Sequence, residues 1–284
     1  MLRVGIVQID IRVGDREANR RNLEAHLERS LTPSEHPTAI VIPEIWDVGY
    51  DLERAKTVAD PEGRSAAEFL GELARKYDVW FTGGSVLASS GGKFFNRAQV
   101  VNPSGELVTQ YDKVHLIRLM DEHLHITPGS GLGLFDLGET KAGCVVCYDI
   151  RFCELLRTYA LKGTEVLFVS AEWPLVRAAH WRALTIARAI ENQMYVVHAC
   201  TVGSLPMVPA VSLNYGAASI LTPSDFAFSR DGVLAEGNHN QEMMVIGDLN
   251  LETIADSRYN GSVLPLRDSE HTADVASRTE VVTL

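Results

Sequence analysis

The stretch Lys141-Ala-Gly-Cys-Val-Val-Cys147-Tyr-Asp-Ile-Arg-Phe-Cys-Glu154 decides the fold. An apolar, β-branched run stops abruptly at a thiol, and a polar segment compatible with a helix follows at once. Branched apolar residues favour the pleated strand, and charges after the break suit the first turns of a helix. The reading is a buried strand that hands over to a helix, with Cys147 held at the turn. There the partial positive charge of the helix N-terminus and neighbouring cations favour thiolate, the reactive form of cysteine. Cys147 is therefore expected to be the thiol modified first. A thiolate in that place needs a base and a donor for an oxyanion. Two upstream strand-like runs end in candidates, Ala39-Ile-Val-Ile-Pro-Glu44 and Gln110-Tyr-Asp-Lys113-Val-His-Leu.

Outward from this point, strand-like runs alternate with amphipathic helical ones, the pattern of α/β layering. Strands are predicted over 2–9, 38–42, 78–84, 94–101, 107–111, the run into Cys147, 165–170, 195–202, 217–221 and 243–249. Helices are predicted over 17–30, 65–76, 152–162 and 177–192, and Asn102-Pro-Ser-Gly105 closes a hairpin. Residues 1–256 form one domain in this reading. The polar tail 257–284 is a C-terminal arm that packs on the domain or on a dimer partner.

A net charge of −11 argues against nucleic acid or an anionic membrane as partner, since both select basic surfaces. No apolar run approaches the roughly 20 residues that span a bilayer. The first residues, Met-Leu-Arg-Val-Gly-Ile-Val-Gln-Ile-Asp, suggest a strand rather than a signal peptide. Cysteines at 144, 147, 153 and 200 do not make a secreted disulfide framework, so a cytoplasmic location is expected.

Each candidate also has a plain reading. Cys144, Cys153 and Cys200 sit in apolar strand and helix settings and are expected in the core. Cys144 and Cys147 form a C-x-x-C, but no second pair follows to complete a zinc site. Glu44 is either a capping acid or a base at a sheet edge, and Lys113 alone is one more surface lysine. His123 and His125 are taken as loop residues rather than a ligand pair.

Taken together, Pro43-Glu44, Tyr-Asp-Lys113-Val-His-Leu, Cys147-Tyr-Asp-Ile-Arg-Phe and His180-Trp-Arg…Ala187-Arg-Ala-Ile-Glu-Asn-Gln-Met-Tyr-Val resemble the nitrilase superfamily of carbon–nitrogen hydrolases. The match runs in order over roughly residues 2–252. The resemblance implies a four-layer α-β-β-α sandwich, assembled as a homodimer or a higher homo-oligomer. It implies Glu44 as general base, Cys147 as nucleophile and Lys113 as the cation beside the oxyanion, with the Tyr148 backbone N–H as second donor. Glu122 matches a second glutamate that orients substrate and Lys113, with Asp121 as competitor. The chemistry needs neither metal nor cofactor. The implied activity is hydrolysis of a non-peptide C–N bond in a small amide, through a thioester, with release of ammonia. An N-carbamoyl hydrolase and a catalytically silent binding module are the alternatives.

The motif at Cys147 is similar to amidase-like branches, and 113–125 resembles ω-amidases acting on the side-chain amide of 2-oxo acids. The stretch 201–237 resembles instead a branch often fused to an acetyltransferase. Glu172 stands where ω-amidase-like sequences carry a neutral amide. It is expected to repel an anionic substrate, to prefer an amine, or to pair with one of the nearby arginines. Arg118, and Arg177 after the turn Ala171-Glu172-Trp173-Pro174, are expected with Glu172 and Trp173 to line the substrate site. Either guanidinium suits a substrate carboxylate.

Overall fold

The strand Leu2–Gln8 shows how the layers arise. Leu2, Val4 and Ile6 fall on one face, and Val7 begins the other, as a two-residue period requires. In the computed structural model, which describes residues 1–32, 36–205 and 213–278, both faces are covered. Val4 and Ile6, with Ala39 and Val41 of the strand Ala39–Val41, pack against a second sheet through Val145, Phe168 and Val197. Val7, with Ile40, Ile42 and Phe81, packs against Leu23 and Leu27 of the helix Arg16–Ser30 and Leu70 and Leu73 of Arg64–Tyr77.

The first sheet has eight strands. Met243–Leu249 pairs antiparallel with Leu2–Gln8, which pairs parallel with Ala39–Val41, followed by Trp80–Phe81, Lys93–Val101, Ser85–Ser90 and Asp60–Pro61. Leu107–Asp112 attaches to Lys93–Val101. The second sheet runs Val233–Glu236, Ser219–Leu221, Tyr195–Cys200, Val166–Ala171, Thr140–Val146 and Gly133–Leu137. Its central three strands are parallel, and the helices Cys153–Leu161 and Ala178–Asn192 supply their crossovers. Two sheets face to face between helical layers make the four-layer α-β-β-α sandwich.

Two hairpin strands were not anticipated. Ser85–Ser90 holds only a short apolar run between serines, but Gly91 and Gly92 both adopt positive φ and close a tight turn onto Lys93–Val101. Gly133–Leu137 turns at Gly138 onto Thr140–Val146 and covers the sheet edge. Among the described residues no helix is long and apolar enough to cross a membrane.

The expected boundary at 256/257 falls inside the helix Leu251–Asn260. Ser257 bonds Gln193, and Arg258 donates to the carbonyls of Ala160, Thr164, Asn192 and Gln193, at the C-terminal ends of both helices of the second layer. A cation there complements the partial negative charge at the two helix C-termini. The remaining tail carries the helix Ser269–Ser277, and residues 279–284 of the expected arm lie outside the described residues, as does Pro206 of the acetyltransferase-branch motif. A chain cut after residue 256 should be less stable than one cut after 262 by about 2 kcal/mol or more. Thermal melts of the two truncations would measure this as a difference of several degrees.

Candidate active site

Four strands of the two sheets deliver their C-terminal ends to one place. Glu44 follows Ala39–Val41, and Lys113 follows Leu107–Asp112. Cys147 follows Thr140–Val146, and Glu172 follows Val166–Ala171. Glu44, Lys113, Glu122 and Cys147 are all buried, and Cys147 is 1% exposed.

The Lys113 ammonium joins the acids. Its Nζ lies 2.8 Å from Glu44 Oε1 and 2.7 Å from Glu122 Oε1. Asn96 Nδ2 donates to Glu44 Oε1 at 2.8 Å, and Tyr50 OH to Glu122 Oε1 at 3.1 Å. Burial works against the ammonium, but the Glu122 and Glu44 charges outweigh it and hold Lys113 well above the ordinary lysine value. Glu122 is raised by its own burial, against the pull of Lys113. Asp121 is exposed and takes no part in this contact, so Glu122 occupies the place for which the two competed. Glu122 also accepts from Ile117 N at 2.7 Å, which fixes the loop that carries Arg118.

Cys147 adopts φ +45°, a left-handed backbone that a non-glycine residue holds only when its surroundings impose it. Asp149 supplies that imposition. Its carboxylate accepts from Val146 N, His115 N and Tyr111 OH at 3.2, 2.9 and 2.8 Å and contacts His115 Nδ1 at 2.9 Å. It thus ties the residue before the nucleophile to the strand and loop on either side of Lys113. From the helix Ala178–Asn192, Arg188 donates to the carbonyls of Ile150 and Arg151 and braces the same turn. Neither residue was singled out from the sequence.

The expectation of a preformed thiolate is not met. Cys147 opens a short 3₁₀ turn, Cys147–Arg151, and the helix begins only at Cys153. Burial, then the Glu44 charge, push the thiol well above its ordinary value, and Lys113 is outweighed. The Sγ donates to the Glu172 carbonyl at 3.4 Å, with the Glu44 carboxylate in the same buried cluster. Cys153, expected in the core, is exposed, whereas Cys144 and Cys200 are buried.

The site opens into a cavity of about 450 Å³, within the range of small-ligand sites. Cys147, Tyr148, Glu172 and Trp173 line it, with the exposed Arg118 and Arg177 at its rim. Arg151, unanticipated, joins them and stacks over Tyr148 and Trp173 at 5.4 and 5.2 Å. Among the described residues Glu172 forms no ion pair with an arginine. Its Oε1 accepts from Asn214 Nδ2 at 3.2 Å, and its N–H donates to Glu44 Oε2 at 2.9 Å. His123 is exposed and His125 part-buried on the short helix Glu122–His125.

The carbon-nitrogen hydrolase family model matches residues 3–259. The chain belongs to that family. Among relatives of this carbon–nitrogen hydrolase, a 2-oxoglutaramate amidase of Bacillus subtilis is 41% identical over 203 residues, 72% of this chain and 77% of its own. A hydrolase in the agr operon of Staphylococcus aureus is 33% identical over 91% of this chain and 95% of its own. The crystal structure of a CN-hydrolase superfamily protein from Xanthomonas campestris, with an arsenic adduct in its active site, superposes with a TM-score of 0.82. Its sequence is 26% identical, and the match covers 94% of this chain and 97% of that one.

Two outcomes follow from this geometry. A bulky maleimide should label Cys153, with Cys147 reacting only with electrophiles small enough for the cavity; peptide mapping by mass spectrometry would decide. Asp149→Ala, by orphaning several buried donors, should cost on the order of 3 kcal/mol in denaturant unfolding. The same variant should lower turnover, because the turn that carries Cys147 loses its anchor.

Proposed function

We propose that this carbon–nitrogen hydrolase is an amidase that hydrolyses the ω-amide of a small carboxylic acid, such as a 2-oxo acid amide, through a Cys147 thioester. The observation that carries the reading is the buried Glu44–Lys113–Cys147 cluster at the base of a cavity whose rim holds three arginines. Similarity to a 2-oxoglutaramate amidase supports the substrate class.

The chemistry assigns a task to each group. Glu44 takes the thiol proton as Sγ attacks the amide carbon, so the thiolate exists only as the C–S bond forms. Negative charge moves to the carbonyl oxygen, where the Lys113 ammonium and the Tyr148 N–H receive it. Tyr148 belongs to the first turn, where N–H groups have no partner within the helix. One such donor contributes about 10²–10³ in rate. Collapse of the adduct breaks the C–N bond, and Glu44 returns the proton to the departing nitrogen, which leaves as ammonia. Water then attacks the thioester, giving its proton to Glu44. The C–S bond breaks, the acid leaves and the thiol is restored. Glu122 holds Lys113 in place and faces the same cluster. Among the rim groups, Arg118, Arg151 and Arg177 bind the substrate carboxylate, and Trp173 and Glu172 form the wall. A homodimer in the cytoplasm completes the proposal.

Ammonia release over matched acidic and neutral amides, carbamoyl amines and nitriles tests this reading. Cys147→Ala and Glu44→Gln should lower kcat by at least about 10³, whereas Cys144→Ala and Cys200→Ala retain most of it. Arg151→Ala and Arg118→Ala should raise KM for the acidic amide far more than for a neutral one of equal length. Carbon dioxide released together with ammonia would move the assignment to a carbamoyl substrate.

A further inference from the structure

Beside Glu44 and Glu122, Glu172 is a third acid in the site, and the proposed reaction gives its side chain no proton to move. Its main chain is bonded to both reacting groups: the N–H donates to Glu44 Oε2 and the carbonyl faces Cys147 Sγ. The side chain is therefore held at a fixed place on the cavity wall, 3% exposed. Its Oε1 accepts a hydrogen bond from the neutral Asn214 amide, which also donates to the Val202 carbonyl.

The charges around it are mostly of its own sign. Glu44 and Asp10 face it as acids, Lys113 as a cation, and Cys147 and Cys200 as buried thiols. Lys113 already bonds Glu44 and Glu122, and the rim arginines form no ion pair with Glu172. An ionised Glu172 would be a third buried carboxylate around one ammonium, directly beside the place where an acidic amide must enter.

We infer that Glu172 works as a neutral carboxylic acid, a specificity-determining wall that admits an anionic amide while protonated and excludes it once ionised. Burial first, and then the Glu44 charge, push its carboxyl up to about 8, against the opposing effects of Asn214 and Lys113. Below that value the side chain is the isostere of an amide, with one O–H to donate. Above it, the wall carries a charge that repels the substrate. The acid at 172 thus plays the part of a neutral amide near neutral pH and adds a pH limit that an amide lacks.

This inference rests on the acidic-amide reading above, and the experiment separates the two. KM would be measured from pH 6 to pH 10 for an acidic amide and a neutral amide of equal length. For wild type, KM for the acidic amide should rise about tenfold per pH unit above the transition, since only the protonated fraction binds it. KM for the neutral amide should stay level. Changes at Glu44 or Cys147 instead move kcat for both substrates. In Glu172→Gln the rise in KM should vanish, whatever its kcat. Should that variant fail to fold, Asn214→Ala, which removes a donor to the ionised form, should move the transition upward. An identical rise in wild type and Glu172→Gln, or an unmoved transition in Asn214→Ala, overturns the inference. If no acidic amide is hydrolysed at any pH, the substrate reading falls. The inference is then decided by infrared difference spectra: a protonated-carboxyl stretch lost on alkalisation in wild type and absent from Glu172→Gln supports it, and its absence from wild type overturns it.

Discussion

A single ammonium, sealed from water between two carboxylates, is the constraint on which the site depends. Lys113 is fully buried, and an unpaired charge in that position would cost several kcal/mol. Glu44 and Glu122 supply the compensation, one from the end of a first-sheet strand and the other from the loop beyond Lys113. Removing Lys113 would leave both acids without their counter-charge, a loss of about 3–5 kcal/mol in comparable buried pairs. The loop 117–122, the strand ends and the amide of Asn96 are all arranged around that pairing.

The same low-dielectric setting determines the state of the thiol. A cysteine beside a carboxylate and away from solvent keeps its proton, despite a lysine in the cluster. Reactivity then belongs to the Cys147–Glu44 pair and to the moment of attack. Burial also shields the thiol from bulk solvent, with Cys147 1% exposed.

Around this centre the protein fixes geometry with buried polar bonds rather than with apolar packing alone. Asp149 gathers donors from 111, 115 and 146, and Arg188 clamps the two carbonyls that follow. Together they hold Cys147 at a positive φ that costs roughly 1–3 kcal/mol when a non-glycine residue adopts it. The strain aims the thiol into the space between the sheets, where Glu44 approaches from the opposite strand.

The sequence by itself determined the layered fold and the three central residues. A two-residue period over Leu2–Ile9, a branched run ending at Cys147 and an ordered series of motifs are local signals, and they survive without coordinates. Strand ends are also where α/β folds present their polar groups, so Glu44, Lys113 and Cys147 were legible as ends of runs. The strands at 85–90 and 133–137 were not, because each is a short run interrupted by small or polar residues (Ser85, Ser89 and Ser90; Gly133 and Asp136) and only pairing with a neighbour makes it a strand. The protonation of Cys147 and Glu172 was decided by tertiary structure alone. A helix N-terminus and a lysine can be read from spacing, but burial and the approach of Glu44 from more than a hundred residues away cannot. Arg151 reaches the cavity because a 3₁₀ turn, not a helix, follows the thiol. In each case the deciding term is the local dielectric and the company of charges, which a chain acquires only when distant strands come together.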